Sequence, residues 1–353
     1  MFFFKFECFI FKECHEHGGY LAYWIANTSE LLYFIKQDRD ISKISHDIQD
    51  RLAECVQRLF RYLTHLVQNE LDKYLVAFTN PQDDVERDVY IAFEENSSTN
   101  AKLSDVRWLT LDHNSNSNHH QVTLGDILAT LSSIMDLLRK SRVNAALTIQ
   151  MFSQIFHYIN TWLFNRIVCC PEFKLCSHFW GEKLSLRLKS ISDWAQRQGL
   201  ELASDCHLTK VNQICILLQS QKRDIHDVQQ LISMNTFKLN SIQVKQILNN
   251  YVLNRNETPI SPTFSQALLN AAYKHVDENL RREGVLVQLA EEPELNLPFL
   301  LPEDGYTCEN LRGIPQQLFE FIEPMSRGSL CRLFTNPHSL GMWTEFMQII
   351  NVN

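Results

Sequence analysis

The sequence predicts an all-α fold, with several helices packed around one long central helix and an extended, proline-containing strap toward the C-terminus. Three observations carry this. Residues 142–168 (RVNAALTIQMFSQIFHYINTWLFNRIV) place two apolar stripes side by side on a helix. One holds Leu147, Met151, Ile155, Tyr158 and Trp162, the other Ile149, Phe152, Phe156, Ile159, Leu163 and Ile167. Together they span more than half the circumference, well beyond the roughly 100° stripe of a surface helix, so two or more neighbours must cover it. Apolar residues also recur at steps of three and four through most of residues 20–283. Finally, Gly and Pro number 10 each in 353 residues, too few for a turn-rich β-sandwich.

The elements follow in order. MFFFKFECFIF at the start is apolar without a helical period; Lys5, Glu7 and the lack of a small-residue cleavage site argue against a signal peptide and for a misassigned start, so 1–19 is set apart as an extension. Residues 20–36 have helical spacing at Leu21, Trp24, Ile25, Leu31, Phe34 and Ile35. A second helix is predicted over 41–78, where Ile41, Ile44, Ile48, Leu52, Val56, Leu59, Leu63, Leu66 and Tyr74 keep the period nearly unbroken. Residues 80–121 change character: Thr79-Asn80-Pro81 opens an acidic, Asn/Ser-rich stretch (EENSSTNAK, HNSNSNHHQ) that reads as a disordered insertion. Trace protease is expected to cut within 80–121 while the rest survives; a protected insertion would contradict the disorder.

Helices resume at 123–140, where Thr123 and Asp126 form a loose capping box, and continue through the central helix, with Pro171 just past its end. Further helices are predicted at 177–198, 204–219, 224–234, 241–252 and 262–283, with Ser204 or Asp205, Asp224 and Ser241 as caps of the second, third and fourth. Beyond 285 the period fails. Pro293, Pro298, Pro302, Pro315, Pro324 and Pro337 punctuate the tail, and LPFLLPEDGY (297–306) is predicted to be a strap lying on the helices. The main domain is thus placed at 20–335 and a C-terminal tail at 336–353.

With 45% hydrophobic and 21% charged residues, the chain can bury a sizeable core. The net charge is −8, with acid concentrated at 83–112 and 283–304. The basic clusters, Arg139-Lys140-Ser141-Arg142 and Lys183 to Lys189, are too short for a phosphate-neutralising face, so nucleic acid is not an expected partner. No stretch has the length of apolar sequence that a transmembrane helix needs. The 10 Cys are irregularly spaced, and Cys55, Cys206 and Cys215 fall inside apolar helical patterns, as core thiols of a cytosolic protein do.

Motifs that carry chemistry are scarce. GxSxG, a glycine-rich phosphate loop and HExxH are all absent from the sequence. Cys8, Cys14, His15 and His17 have a metal-like composition, as do Cys169, Cys170, Cys176 and His178, yet neither set has paired CxxC spacing. His119-His120 lacks further ligands, and Cys206-His207 points about 100° apart on a helix, so a thiolate–imidazole pair is not expected there. No catalytic residue, cofactor site or metal site is assigned.

Residues 142–251 carry a recognisable pattern: LFNR at 163–166, Cys176-Ser177, Gly181, Trp194, LLQ at 217–219, Lys222, Asp224, Leu239, Gln243, Ile247-Leu248 and Tyr251. It resembles the dilute (DIL) domain, the helical module shared by the cargo-binding tail of class V myosins and by afadin/Canoe. A finer likeness to the afadin/Canoe branch lies in ELLYFIKQDRD (30–40), residues 142–166, CSHFWG (176–181), QGLELASDCHL (198–208), FKLNS (237–241) and LPFLLPEDGY (297–306). The resemblance spans roughly 20–335. It implies Trp194 and Ile247 as core, Gly181 as a site of close packing and Asp224 as a cap.

What the resemblance implies for function is a non-enzymatic interaction module of a cytoplasmic scaffold at cell–cell adherens junctions, with junctional or cytoskeletal adaptors as protein partners. Ras/Rap GTPases, nectins and F-actin would be reached only through family domains that lie outside this sequence, which is expected to be either a fragment of a longer scaffold or a short isoform. The alternative is the cargo-binding tail of a class V myosin-type motor; a third, a hydrolase or redox enzyme using Cys206 or Cys176, needs an activated thiolate. A helical bundle offers grooves for a partner helix or extended peptide. Three candidate faces follow: the polar strip of the central helix (Gln150, Ser153, Gln154, His157, Thr161), the 262–283 helix (Phe264, Leu268, Leu269, Ala272, Val276, Leu280) and the rim of the strap (Phe299). Internal packing is the competing use of each.

Overall fold

The structure, a computed structural model, describes residues 17–38, 40–81, 122–234, 237–255, 257–277, 286–289 and 299–306. The expected extension 1–19, insertion 80–121 and tail 336–353 fall wholly or almost wholly outside these residues. The described residues are helical or irregular, with no strand among them. The helices are α1 (Gly18–Gln37), α2 (Ile41–Ile44), α3 (His46–Asp72), α4 (Leu124–Lys140), α5 (Ala145–Val168), α6 (His178–Gln198), α7 (Glu201–His207), α8 (Thr209–Gln219), α9 (Ile225–Met234), α10 (Ser241–Asn249) and α11 (Pro262–Ala272). Short 3₁₀ turns occupy Leu75–Thr79 and Pro171–Phe173, and a π turn continues α11 over Tyr273–Asp277. The chain groups into one unit up to Pro302 and another from Glu303, of which 303–306 are described.

α5 is the predicted central helix. It packs against α3, α7, α8 and α10, while α4 sits between α1, α3 and α6. Leu147, Met151, Phe152, Ile155, Phe156, Ile159, Leu163 and Ile167 are buried, so both stripes meet neighbours. Ile149 departs from the expected second stripe and is exposed, because it lies at the outer margin of that arc, in the first turn and a half of the helix. α5 starts at a cap that the apolar pattern does not show: the Asn144 side chain accepts from the Ala146 N–H at 2.8 Å.

Several predicted boundaries move. The single helix over 41–78 is three pieces, broken at Ser45 and again at Lys73–Tyr74. The Ser45 hydroxyl turns back to the Ile41 carbonyl at 2.6 Å, and Gln49 donates to the Ser42 carbonyl across the break. Apolar spacing survives such a break, because one offset turn leaves the period in register. The predicted 204–219 helix is likewise α7 and α8, joined at Leu208, with Ser204 and Asp205 inside α7 rather than capping it. The Thr209 hydroxyl bonds the carbonyls of Asp205 and Cys206, an alternative to continuing the α7 ladder. Ser241 is not the cap of α10. Asn240 is, in a reciprocal box with Gln243, and the Ser241 hydroxyl donates instead to Asp277. Asp224 does cap α9, accepting from the N–H groups of His226 and Asp227. At the start of α4, Asp126 accepts from the Thr123 N–H and hydroxyl at 2.8 and 3.0 Å.

Two positions set the spacing of the bundle. A Cβ on Gly181 would lie 2.8 Å from Leu218 Cβ and 3.3 Å from the Cys215 carbonyl oxygen, so α6 and α8 approach where only glycine fits. Trp194 is fully buried, its ring 5.4 Å from Phe152, and its indole N–H donates to the Ser132 hydroxyl at 2.9 Å. α6 is thereby locked onto both α4 and α5.

Candidate protein-interaction site

The polar strip of α5 faces two different surroundings. Near its start, the Gln150 amide pairs with the backbone of Leu300, donating to the carbonyl at 2.5 Å and accepting from the N–H at 3.3 Å. Phe299 lies beside it, half-buried, its ring 4.8 Å from Phe60 of α3. Within the first unit, residues 299–302 of the strap are therefore laid over α3 and α5 without helix. Leu300 points the other way and is 65% exposed. Ser153 is half-buried, whereas Gln154 and Thr161 are buried.

Further along α5, His157 is half-buried and its ring meets His207 of α7 edge-on, 6.3 Å between centroids. Asn160 accepts from the Val211 N–H at 3.1 Å and so ties the first turn of α8 to α5. Toward the end of α5, the Arg166 guanidinium sits between rings, 5.0 Å from Trp162 and 4.0 Å from Phe173.

Phe264 and Leu268 are fully buried among the core residues. They hold α11 against α9 and α10, and they reach no partner while the helix stays in place. Of the six proposed contact residues, Gln150 and Phe299 come together on the strap, His157 stands at the seam with α7, and Ser153 lies between them on α5.

The described metal-like set, Cys169, Cys170, Cys176 and His178, forms no metal cluster. No cluster of three or more His, Cys, Asp or Glu suited to a metal occurs among the described residues. Cys8, Cys14 and His15 lie outside these residues, as does His119-His120. Cys176 donates weakly to the Ile167 carbonyl, and burial pushes its thiol up to about 12; Cys215 is pushed as far, for the same reason. Burial also raises Cys169 and Cys170. Cys206 corrects the sequence expectation of a core thiol: it is exposed, while His207 turns its ring toward α5. Among the described cysteines, native thiol labelling with peptide mapping should modify Cys206 first and leave Cys55, Cys176 and Cys215 unmodified. Equally fast labelling at Cys176 would show that its surroundings open in solution.

Lys222 and Tyr251, both read from the family pattern, meet in one network. The buried ammonium of Lys222 donates to the carbonyls of Leu218 and Ser220 and to the Tyr251 hydroxyl, at 2.9, 2.8 and 3.2 Å. Tyr251 in turn bonds Glu257. Burial pulls Lys222 down to about 8, partly opposed by Glu257 at 3.9 Å. These groups pin the turns after α8 and α10 together.

Sequence reasoning missed two kinds of residue. Asn165 and Gln213 act through side-chain amides on remote backbone: Asn165 pairs with both polar atoms of the Leu289 peptide at 2.9 Å, and Gln213 accepts from the Lys238 N–H at 2.9 Å. Lys210 and Lys238 lie far apart in sequence and belong to no basic run. No local signal marks either kind.

No helix among the described residues is long and apolar enough to cross a membrane. Residues 150–255 match the family model described as the DIL domain. The human Ras-associating and dilute domain-containing protein is 23% identical over 298 residues, which are 82% of this chain and 26% of that protein. Rat unconventional myosin-Vb is 22% identical over 300 residues, 83% of this chain and 16% of that protein. The chain thus spans about a quarter or less of these curated relatives. Among solved structures, the Myo2-GTD in complex with Mmr1 superposes with a TM-score of 0.60 at 15% identity, over 90% of this chain and 77% of that one. A myosin V cargo binding domain superposes with a TM-score of 0.58 at 15% identity, over 96% and 75%. The fold is that of these all-α domains.

Proposed function

We propose that this chain, which carries a DIL domain, is a non-enzymatic protein-interaction module of an afadin/Canoe-like scaffold that links cell–cell adherens junctions to the actin cytoskeleton. The observation that supports a binding role is that the fold extends over nearly the whole described chain as one cargo-binding-domain-like body. Solved relatives of that body include complexes of Myo2-GTD with Mmr1, Smy1 and Inp2. The junctional part of the reading rests on the long afadin-like runs of sequence, residues 142–166 and 297–306 above all. The second of these supplies the strap that Gln150 holds.

A second reading has an observation of its own: likeness to myosin-Vb over 83% of the chain favours the cargo-binding tail of a class V myosin-type motor. Sequencing the transcript across both ends separates the two. Ras-association coding sequence upstream and PDZ coding sequence downstream support the scaffold; a motor and coiled coil upstream overturn it. The binding role itself is tested by cross-linking the full chain in cells. Protein cross-links clustered on one face support it, and their absence counts against any interaction module.

A further inference from the structure

The seam where α5 meets α7 and α8 collects positive charge without matching acid among the described residues. His207 faces His157 of α5 at 6.3 Å. Lys210 lies one turn further along, its ammonium 6.0 Å from the Phe164 ring. The Lys238 backbone N–H donates to the Gln213 amide oxygen of α8, which places Lys238 near enough for its charge to act on both His207 and Lys210. Burial first, and then the Lys238 charge, pull both His207 and Lys210 below their ordinary pKa. Among the described residues, no carboxylate forms an ion pair with His207, Lys210 or Lys238. Two buried hydroxyls line the same helices: Thr161, one turn beyond His157, and Ser204, one turn before His207. Both are at most 1% exposed and lack a hydrogen-bond partner among the described residues.

Such an arrangement costs stability in the free protein. Two ammonium groups repel each other, and two hydroxyls give up water without a partner. A dianion relieves the repulsion fully, whereas a single carboxylate balances one lysine. A phosphorylated side chain carries about −1.5 to −2 charge and three strong acceptor oxygens. Resting on the protein-interaction reading above, we propose that His207, Lys210 and Lys238 form a seat for a phosphoserine or phosphothreonine of a protein partner. The lysines neutralise the phosphate and the imidazole N–H orients it. The surrounding helices supply a rigid frame, since Asn160 fixes α8 and Gln213 fixes the Lys238 segment.

Fluorescence anisotropy on the full chain tests this with a labelled Gly/Ser peptide bearing one phosphoserine, its unphosphorylated twin, and phosphatidylserine vesicles. The phosphorylated peptide should bind about tenfold or more tightly than its twin, the scale of a charge-assisted contact. Lys210→Gln and Lys238→Gln should each weaken it by about threefold to tenfold, while Lys189→Gln, at an exposed position of α6, leaves it unchanged. Both seat variants remove like-charge repulsion, so their denaturant midpoints should hold or rise, unlike those of a structural loss. Equal affinity for the two peptides overturns the proposal. So does phosphate preference that survives in the Lys210→Gln, Lys238→Gln double variant, or vesicle binding that depends on the same lysines without peptide preference. Failure of the peptide with partner cross-links retained would remove the seat alone and leave the interaction module standing.

Discussion

Trp194→Ala should lower the stability of the folded chain by about 3–5 kcal/mol, the usual range for truncating a fully buried Trp. The ring is wholly enclosed, contacts Phe152 of the central helix, and its N–H is satisfied by Ser132 of α4. The substitution therefore opens a cavity where α4, α5 and α6 converge and leaves the half-buried Ser132 hydroxyl short of a donor. The shift in urea midpoint measures it. Trp194→Phe separates the terms: it keeps most of the volume and loses only the hydrogen bond, so it should cost about 1–2 kcal/mol. Similar losses for the two variants would mean that the Ser132 bond, and not packing, dominates.

Arg187→Ala is the second large effect, expected at about 2–4 kcal/mol. Arg187 is 1% exposed, yet its guanidinium donates to the carbonyls of Phe78 at 2.7 Å and Asn80 at 2.8 Å, at the end of the 3₁₀ turn that follows α3. Lys183, one turn earlier on α6, donates to the Pro81 carbonyl. Without the guanidinium, two carbonyls lose their donors in a place where water is scarce. Arg187→Met keeps the aliphatic stem and removes only the hydrogen bonds. It should retain a third to a half of the loss, and hydrogen exchange should quicken at residues 75–81 before it does in α5. Uniform quickening throughout the bundle would show instead that Arg187 supports the whole core.

These two residues mark where the sequence was readable and where it was not. The resemblance to the DIL domain implies Trp194 in the core and Gly181 at a close approach, and both expectations match the packing of α6. Arg187 stands in a short basic run that gives no local sign of burial, and its acceptors lie more than 100 positions earlier. Hydrophobic periodicity reports which face is buried, not which polar side chain will reach a distant carbonyl. The same limit hid the breaks at Ser45 and Leu208, because a helix can stop and restart without losing phase. It also hid the seam of Lys210 and Lys238, which exists only once the segment after α9 is laid on α8. Of the residues chosen for partner contact, Phe264 and Leu268 were selected by an amphipathic pattern that serves the core equally well, and the structure puts them there.

The amides that reach furthest along the chain have a consequence for the order of assembly. Asn165 and Leu289 are separated by 124 positions, and Gln150 and Leu300 by 150. During synthesis, the central helix leaves the ribosome long before the segments that close over it. Until residue 289 has emerged for Asn165, and residue 300 for Gln150, these amides of α5 must bond water or a chaperone. Pairings this remote carry a large loop-closure entropy and form late in folding. The segment matched by the family model, 150–255, stops short of both closing segments, so a fragment cut at those limits would leave α5 waiting for covers that never arrive.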